Sequence, residues 1–294
     1  MHHLGPDHAQ GLAIGIGVNP WHGLHDPEAM AQVAVDEAIR NVVAVGADPD
    51  RVALLDNFSW GDPRRPSTLG ELVAAVDGCC AAALAHRAPY VSGKDSLNNE
   101  YAGTDGQRHS VPPTLVITAV AAVPDADRCV TSALTTPGNA LVLLGLTRPE
   151  FAGSHLDLVL GAPEPDAVGS APAPDPDAPS RYRALHQAIL AGLVRACPDR
   201  SEGGLEVALA EMCIGGRLGA TVTELPHPDL ATALFAESTG RLLVEVAPAD
   251  LPRFVALVGG QQIGVVSTDD LLTIPGLDPI RVEALADAFT GGNP

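Results

Sequence analysis

The sequence predicts a layered α/β fold, α+β in its second half, divided into two domains. Three observations carry that prediction. The chain has 294 residues, enough for two cores at roughly 100–200 residues per domain. Hydrophobic residues make up 46% and aromatics only 3%, so the core is built from Ala, Val and Leu, as in layered α/β proteins rather than aromatic-rich sandwiches. Short apolar runs alternate with longer stretches of helical periodicity.

LAIGIGV (12–18) reads as a buried strand, and Asp26-Pro27 then supplies an N-cap with proline at the first helical position, predicting a long helix to about Val45. Within it Glu37 and Asn41 share a face, and GADP (46–49) ends it with a glycine stop. VALLDNFSW (52–60) is the next strand and carries Asp56 toward a polar, glycine- and proline-rich loop; residues 69–86 are helical, and PYVSG (89–93) is a strand whose exit is GKDS (93–96). PTLVITAVAAV (113–123) is a further strand. After the small-residue turn TTPGN (135–139), NALVLLGL (139–146) opens a second unit, which sets the domains at 1–137 and 138–294.

Residues 162–179 are almost wholly Pro, Ala, Asp and other small residues, the composition of an exposed, extended insertion. RYRALHQAILAGLVRA (181–196) is an amphipathic helix, CPDRSEGG (197–204) a polar loop and LEVALAEMC (205–213) again helical. GATVTEL, RLLVEVAP and IGVVS supply strands, with ADLPRFVALV (249–258) as a helix between the last two.

Thirty-six acidic residues against 17 basic give a net charge of −19, which argues against a surface that tracks nucleic acid or an anionic membrane. A nucleotide here needs local amides, a few cations and a divalent metal, because the global field repels it. The five cysteines include no CxxC, so neither a disulfide framework nor a zinc site is expected. No uninterrupted apolar stretch is long enough to span a bilayer and the N-terminus has no apolar signal core, so the expected compartment is the cytoplasm. His2 and His3 receive no role.

Three stretches could carry chemistry. GKDS offers backbone amides beside Lys94, Asp95 and Ser96; DRSEGG (199–204) sets Asp199, Ser201 and two glycines at a helix start, where free N–H groups favour phosphate; LDNFSWGDP (55–63) offers Asp56. Singly, each is also what an ordinary polar or capping turn looks like. GKDS is not a Walker A loop, because the glycine required five positions before Gly93 is Ala88. Glu37, Asn41 and Asp199 together would offer three hard oxygen ligands suited to magnesium carrying nucleotide phosphates.

VAVDEAIRNVVAVGADP, ALLDNFSWGDP, VSGKDSLNNE, GLTRPEFAGS, DRSEGGLEVALAEM and LFAESTGRLLVEV occur in that order and cover most of the chain. Together they resemble the second half of the phosphoribosylformylglycinamidine synthase family, within the superfamily of aminoimidazole ribonucleotide synthase. The resemblance implies one copy of a two-domain unit whose N-terminal domain joins that of a second copy into a shared barrel, with the C-terminal α/β domain outside. It implies an ATP-dependent ligase of purine biosynthesis, using ATP, Mg2+ and glutamine-derived ammonia to amidinate formylglycinamide ribonucleotide.

By position, the resemblance implies that Asp56, Gly93 and Lys94 contact ATP and Ser96 the substrate. Shorter family members carry a magnesium-binding asparagine where this chain has Lys94; a cation cannot ligate a metal, so Lys94 meets phosphate. Glu37, Asn41 and Asp199 match magnesium ligands and Ser201 a nucleotide contact of the longer members' internal nucleotide site, while LAIGIG lacks the carboxylate of that site's further ligand. The family's catalytic histidine lies in the first copy, so no catalytic residue is assigned. The implied partners are the N-terminal half of the synthase, as a separate chain or missing segment, and a glutaminase subunit supplying ammonia. Two other readings are a stand-alone homodimeric nucleotide-binding or regulatory protein without catalysis, and a self-sufficient enzyme of the wider superfamily.

Overall fold

Asp26 starts the helix that organises the first domain: its carboxylate accepts the Ala29 N–H at 2.9 Å, and Pro27 occupies the first turn, where no N–H is required. The structure, a computed structural model, describes residues 1–5, 8–161, 170–199 and 201–291. Its first part runs β1 (His2–His3), β2 (Gly11–Val18), α1 (Pro27–Ala44), β3 (Val52–Ser59), α2 (Pro66–His86), β4 (Tyr90–Ser96), β5 (Glu100–Ala102), β6 (Arg108–Ser110) and β7 (Thr114–Val123). β1, β2, β7, β3 and β4 form an open five-stranded sheet in that order, not a closed barrel. Only β3 and β4 are parallel, joined by α2 as crossover.

α1 lies against β2 because glycine leaves room for it. A Cβ on Gly17 would collide with the Ala34 carbonyl oxygen, and one on Gly15 would meet Ala38 O and Asn41 Cβ. The close approach sets Glu37 beside the end of β2. LAIGIGV is buried on one face only: Ala13 is fully enclosed, but Ile14 and Ile16 are each 53% exposed on the sheet's outer face. β7 shows the same alternation, with Leu115, Ile117, Ala119 and Ala121 on the face that packs against α1.

The second part runs β8 (Ala140–Leu144), α3 (His155–Leu160), α4 (Ala178–Leu190), β9 (Val194–Ala196), α5 (Gly204–Gly216), β10 (Gly219–Val222), α6 (Leu230–Phe235), β11 (Leu242–Val246), α7 (Leu251–Val258), β12 (Gln261–Ser267), β13 (Leu271–Thr273), β14 (Ile280–Arg281) and α8 (Val282–Phe289). Its sheet has the order β14-β13-β10-β12-β8-β11-β9. Alternate residues of β8 serve two cores: Val142 and Leu144 join α4 and the first domain, while Leu141 and Leu143 join α5 and α8. Glu245, buried in β11, accepts from Thr135 N (2.8 Å), Thr136 N (3.0 Å) and Asn139 Nδ2 (2.6 Å), so one carboxylate pins the TTPGN turn.

Three expectations need correction. GKDS is not a loop: parallel pairing of Asp56 with Gly93 through Ser59 with Ser96 draws it into edge strand β4. The helix expected over 181–196 ends at Leu190, because Gly192 at φ 71° breaks it, and Val194–Ala196 pair as a strand. Of the 162–179 insertion, 162–169 lie outside the described residues; the remainder is not simply exposed, since Asp175 is buried in an ion pair with Arg181 at 2.8 Å and α4 begins at Ala178. α2 is long and apolar enough to cross a membrane by length and composition, and still, as expected, not an uninterrupted apolar run. Glu71 and Asp77 interrupt it, and Ala75, Cys79 and Ala82 pack into the core beneath the sheet.

Candidate nucleotide site

The close contact of α1 with β2 fixes the first wall of a cavity of about 280 Å3 lined by Glu37, Asn41, Asp199, Ser201, Glu202 and Glu211. Glu37 Oε2 accepts the Val18 N–H at 3.0 Å and Asn19 Nδ2 at 2.9 Å. One turn on, Asn41 Nδ2 donates to Ile16 O at 3.0 Å, so both side chains are anchored to the end of β2. The opposite wall is the β9–α5 connection. There the Ser201 hydroxyl donates to Asp199 Oδ2, and Gly203 and Gly204, both at φ 72°, turn the chain into α5. A Cβ on Gly204 would strike the Leu234 carbonyl, so only glycine permits this entry.

In each of the three candidate metal ligands one atom is tied down and an oxygen is left over. Among the described residues Glu37 Oε1, Asn41 Oδ1 and Asp199 Oδ1 have no hydrogen-bond partner. No group of three or more His, Cys, Asp or Glu that could hold a metal by itself occurs among the described residues. Two carboxylates and an amide around a polar cavity nevertheless fit a hard cation that draws its remaining ligands from phosphate and water.

Burial raises the pKa of Glu37, with Asp199 adding to the effect and Arg40 and the Val18 amide opposing it. Glu211 is likewise raised, first by burial and then by Asp199 and Glu202. These neighbours make the cavity acidic, and a bound cation would relieve the repulsion.

A buried network backs this site. Arg40, one turn beyond Asp36 on α1, forms an ion pair with it, donates to Ser201 Oγ at 3.0 Å and lies 3.9 Å from Asp199. Asp36 also accepts Tyr182 Oη at 2.6 Å and the Gly240 N–H at 3.2 Å. Burial works against the Arg40 charge, but Asp36, Tyr182 and Asp199 outweigh it and hold its pKa above the ordinary value. Glu237 braces the far end, taking the Gly203 N–H at 2.7 Å and the His155 N–H at 2.9 Å. Reading the sequence for ligands passed over Asp36, Arg40, Tyr182, Glu202, Glu211 and Glu237. The available signal was the i,i+4 pair Asp36–Arg40 interleaved with Glu37–Asn41.

The other four candidates form a separate group on β3 and β4. Asp56 stands opposite Gly93, and a Cβ on Gly93 would collide with its carboxylate. Burial and then Asp95 raise the Asp56 pKa. Gly93 and Lys94 are exposed, and the half-buried Ser96 donates to Asn99 Oδ1 at 3.2 Å. None of the four lines the inter-domain cavity.

Residues 4–123 match the family model for AIR synthase related protein, N-terminal domain, and residues 136–274 the model for its C-terminal domain. The chain is 35% identical over 291 residues to phosphoribosylformylglycinamidine synthase subunit PurL of Rhodopseudomonas palustris (strain HaA2), covering 96% of this chain and 38% of that protein. Among solved structures, T. maritima PurL complexed with FGAR superimposes with a TM-score of 0.76 at 20% identity, over 94% of this chain and 46% of the other. Hydrogenase maturation protein HypE in complex with ATP gives 0.64 at 17% identity, over 88% of this chain and 77% of the other. The two structural likenesses concern the fold. The chain spans less than half the length of both PurL proteins.

Proposed function

The chain belongs to the AIR synthase related proteins, carrying the N-terminal and C-terminal domains of that family in order, and on that premise we propose that it is the C-terminal half of a phosphoribosylformylglycinamidine synthase. The proposed boundary at residue 137 lies just inside the second matched segment, 136–274, and after the end of the first, 4–123. The implied reaction phosphorylates the amide oxygen of formylglycinamide ribonucleotide with ATP. Ammonia then displaces the phosphate, giving formylglycinamidine ribonucleotide, ADP and phosphate in the cytoplasmic purine pathway.

The observation that carries this reading is the cavity in which α1 of one domain and the β9–α5 connection of the other present Glu37, Asn41, Asp199 and Ser201 to one space. Glu37, Asn41 and Asp199 would hold Mg2+ through their unengaged oxygens, with Ser201 beside the nucleotide. Bound there, the metal neutralises phosphate charge. The β3–β4 group has the second role. Gly93 brings bare backbone to the nucleotide, Asp56 fixes its position, the Lys94 ammonium meets phosphate and Ser96 offers a hydroxyl to substrate. Gly93, Lys94 and Ser96 of that group lie on an edge strand, so a complementary half, with a glutaminase subunit feeding ammonia, completes the site.

The test combines the chain with a separately produced N-terminal half and measures ammonia- and ATP-dependent product formation. The expected result is turnover by the mixture and none by this chain alone. A folded, associated mixture without turnover would refute the reading. The 77% coverage of the HypE chain favours one alternative, a stand-alone homodimeric nucleotide-binding protein; it requires a dimer in solution that binds nucleotide and gains no activity from the other half.

A further inference from the structure

Arg40 is fully enclosed, with 2% of its surface exposed, yet it faces the cavity wall rather than a purely apolar core. One side of its guanidinium is committed to Asp36, which Tyr182 and the Gly240 amide hold in place from the second domain. The other side reaches Ser201 Oγ and stands behind Asp199. Resting on the reading of this cavity as a nucleotide site, we propose that Arg40 is a positioning residue that sets the ligand class: the cavity takes a divalent cation together with a polyphosphate, and disfavours the cation alone.

Glu37, Asp199, Glu202 and Glu211 line the cavity with negative charge, an electrostatic trap for cations although among the described residues they do not cluster closely enough to hold a metal by themselves. A fixed positive charge behind Asp199 weakens that trap for a bare cation and strengthens it for a ligand carrying net negative charge. The same guanidinium orients the Ser201 hydroxyl and, through it, Asp199, so the second domain's wall is held in register with α1. Tyr182, Asp36, Arg40 and Ser201 form one hydrogen-bonded chain across the domain boundary. Asp36 is thereby occupied as the counter-ion and is not a ligand.

The experiment uses the full chain with two probes, Mn2+ alone, followed by the resonance of the free ion, and Mg-ADP, followed by calorimetry. Arg40 stands 3.9 Å from Asp199 itself and farther from a cation held on the outer oxygen, so its charge in a partly wet site is worth a factor of about ten. Arg40→Gln is therefore expected to bind Mn2+ about tenfold more tightly and Mg-ADP about tenfold more weakly. Arg40→Lys, which keeps the charge, is expected to leave the ratio of the two affinities within about threefold of wild type. Asp36→Asn combined with Arg40→Gln replaces the ion pair by two amides and carries the same opposite-signed expectation if the single variant does not fold. A parallel loss of both ligands would overturn the inference, because a merely structural role weakens the two together. Unchanged affinities would overturn it as well. A wild-type chain that binds Mn2+ but no Mg-ADP would overturn the underlying nucleotide reading and the inference with it, an outcome distinct from the parallel loss.

Discussion

Replacing Glu37 by glutamine separates two consequences of one carboxylate, and they differ in sign. Burial, reinforced by Asp199, raises the Glu37 pKa above 4.5 in the folded chain despite Arg40 and the Val18 amide. The folded state then holds this proton more firmly than the unfolded state, so ligand-free stability is favoured at acid pH and declines as pH rises through the folded pKa. At neutral pH the ionised group is a standing cost that glutamine removes while keeping an oxygen for the Val18 N–H. Ligand-free Glu37→Gln is therefore expected to melt at or above wild type at neutral pH and to lose this part of the pH dependence. Ligand stabilisation runs the other way. Mg-ADP at about one hundred times its Kd stabilises wild type by about 2.7 kcal/mol. For 294 residues, an unfolding entropy of ~2.1 cal/mol/K per residue totals ~0.6 kcal/mol/K, so Tm rises by about 4 °C. A hundredfold weaker Kd leaves about 0.4 kcal/mol, a shift of under ~1 °C. Calorimetric melting of both proteins at acid and neutral pH, with and without Mg-ADP, measures all four quantities. A ligand-free variant several degrees less stable at neutral pH, or one that keeps the full ligand shift, would refute the reasoning.

Asp199→Ala is expected to lose the Mg-ADP shift by the same melting assay. Tyr182→Phe deletes a hydrogen bond to the buried Asp36 carboxylate and should cost about 1.5–3 kcal/mol in urea unfolding; a change below ~0.5 kcal/mol would count against the network. Gly17→Ala forces a methyl into the Ala34 carbonyl, an overpacking cost near 3 kcal/mol because the obstacle is helix backbone, offset by under ~1 kcal/mol from the stiffer unfolded chain. Lys94→Ala, on exposed β4, should leave both Tm and the Mg-ADP shift unchanged while lowering turnover of the reconstituted halves by about a hundredfold; unchanged turnover would remove Lys94 from the site.

Helix α1 was legible because its signals are local: a capping aspartate, a proline in the first turn and an apolar face. β4 was not, because Gly-Lys-Asp-Ser has the composition of a turn and only pairing with β3 extends it; tertiary context overrode propensity there. The overrun of α4 was avoidable, since Gly192 stood in the sequence where the helix stops, but the apolar Leu193-Val194 that follows kept the periodicity going. Asp175 looked solvated among prolines, and no local pattern announces its burial against Arg181. In the site, Glu37 and Asn41 could be paired by spacing. Asp199 and Ser201 reach the same cavity from more than 150 residues away in the chain; donor chemistry could group Asp199 with Glu37 and Asn41, but only the resemblance placed them and Ser201 in one site. Arg40 was passed over, since a sequence does not reveal that Ser201 will stand 3.0 Å from it.

The two groups of candidate residues differ in what they need from outside the chain. Glu37, Asn41, Asp199 and Ser201 are held by partners within it: Val18, Asn19 and Ile16 on one wall, Arg40 and the glycine-turned entry to α5 on the other. Gly93 and Lys94 have backbone support from β3 alone, on an edge strand whose Val91 is 64% exposed, while Asp56 sits on β3 between β7 and β4; the outer face of the same sheet carries half-exposed Ile14 and Ile16 on β2. An edge strand next to an uncovered apolar face is a surface that another chain or domain stabilises. On the proposed reading, nucleotide binding at the cavity and turnover at the edge are thus separable properties. The first follows from contacts made inside the chain, whereas the second requires a partner to cover β4. Lys94 and Asp199 report on the two independently: a Lys94 change leaves intact the ligand shift that an Asp199 change abolishes, and only a coupled response would show that the two groups form one site.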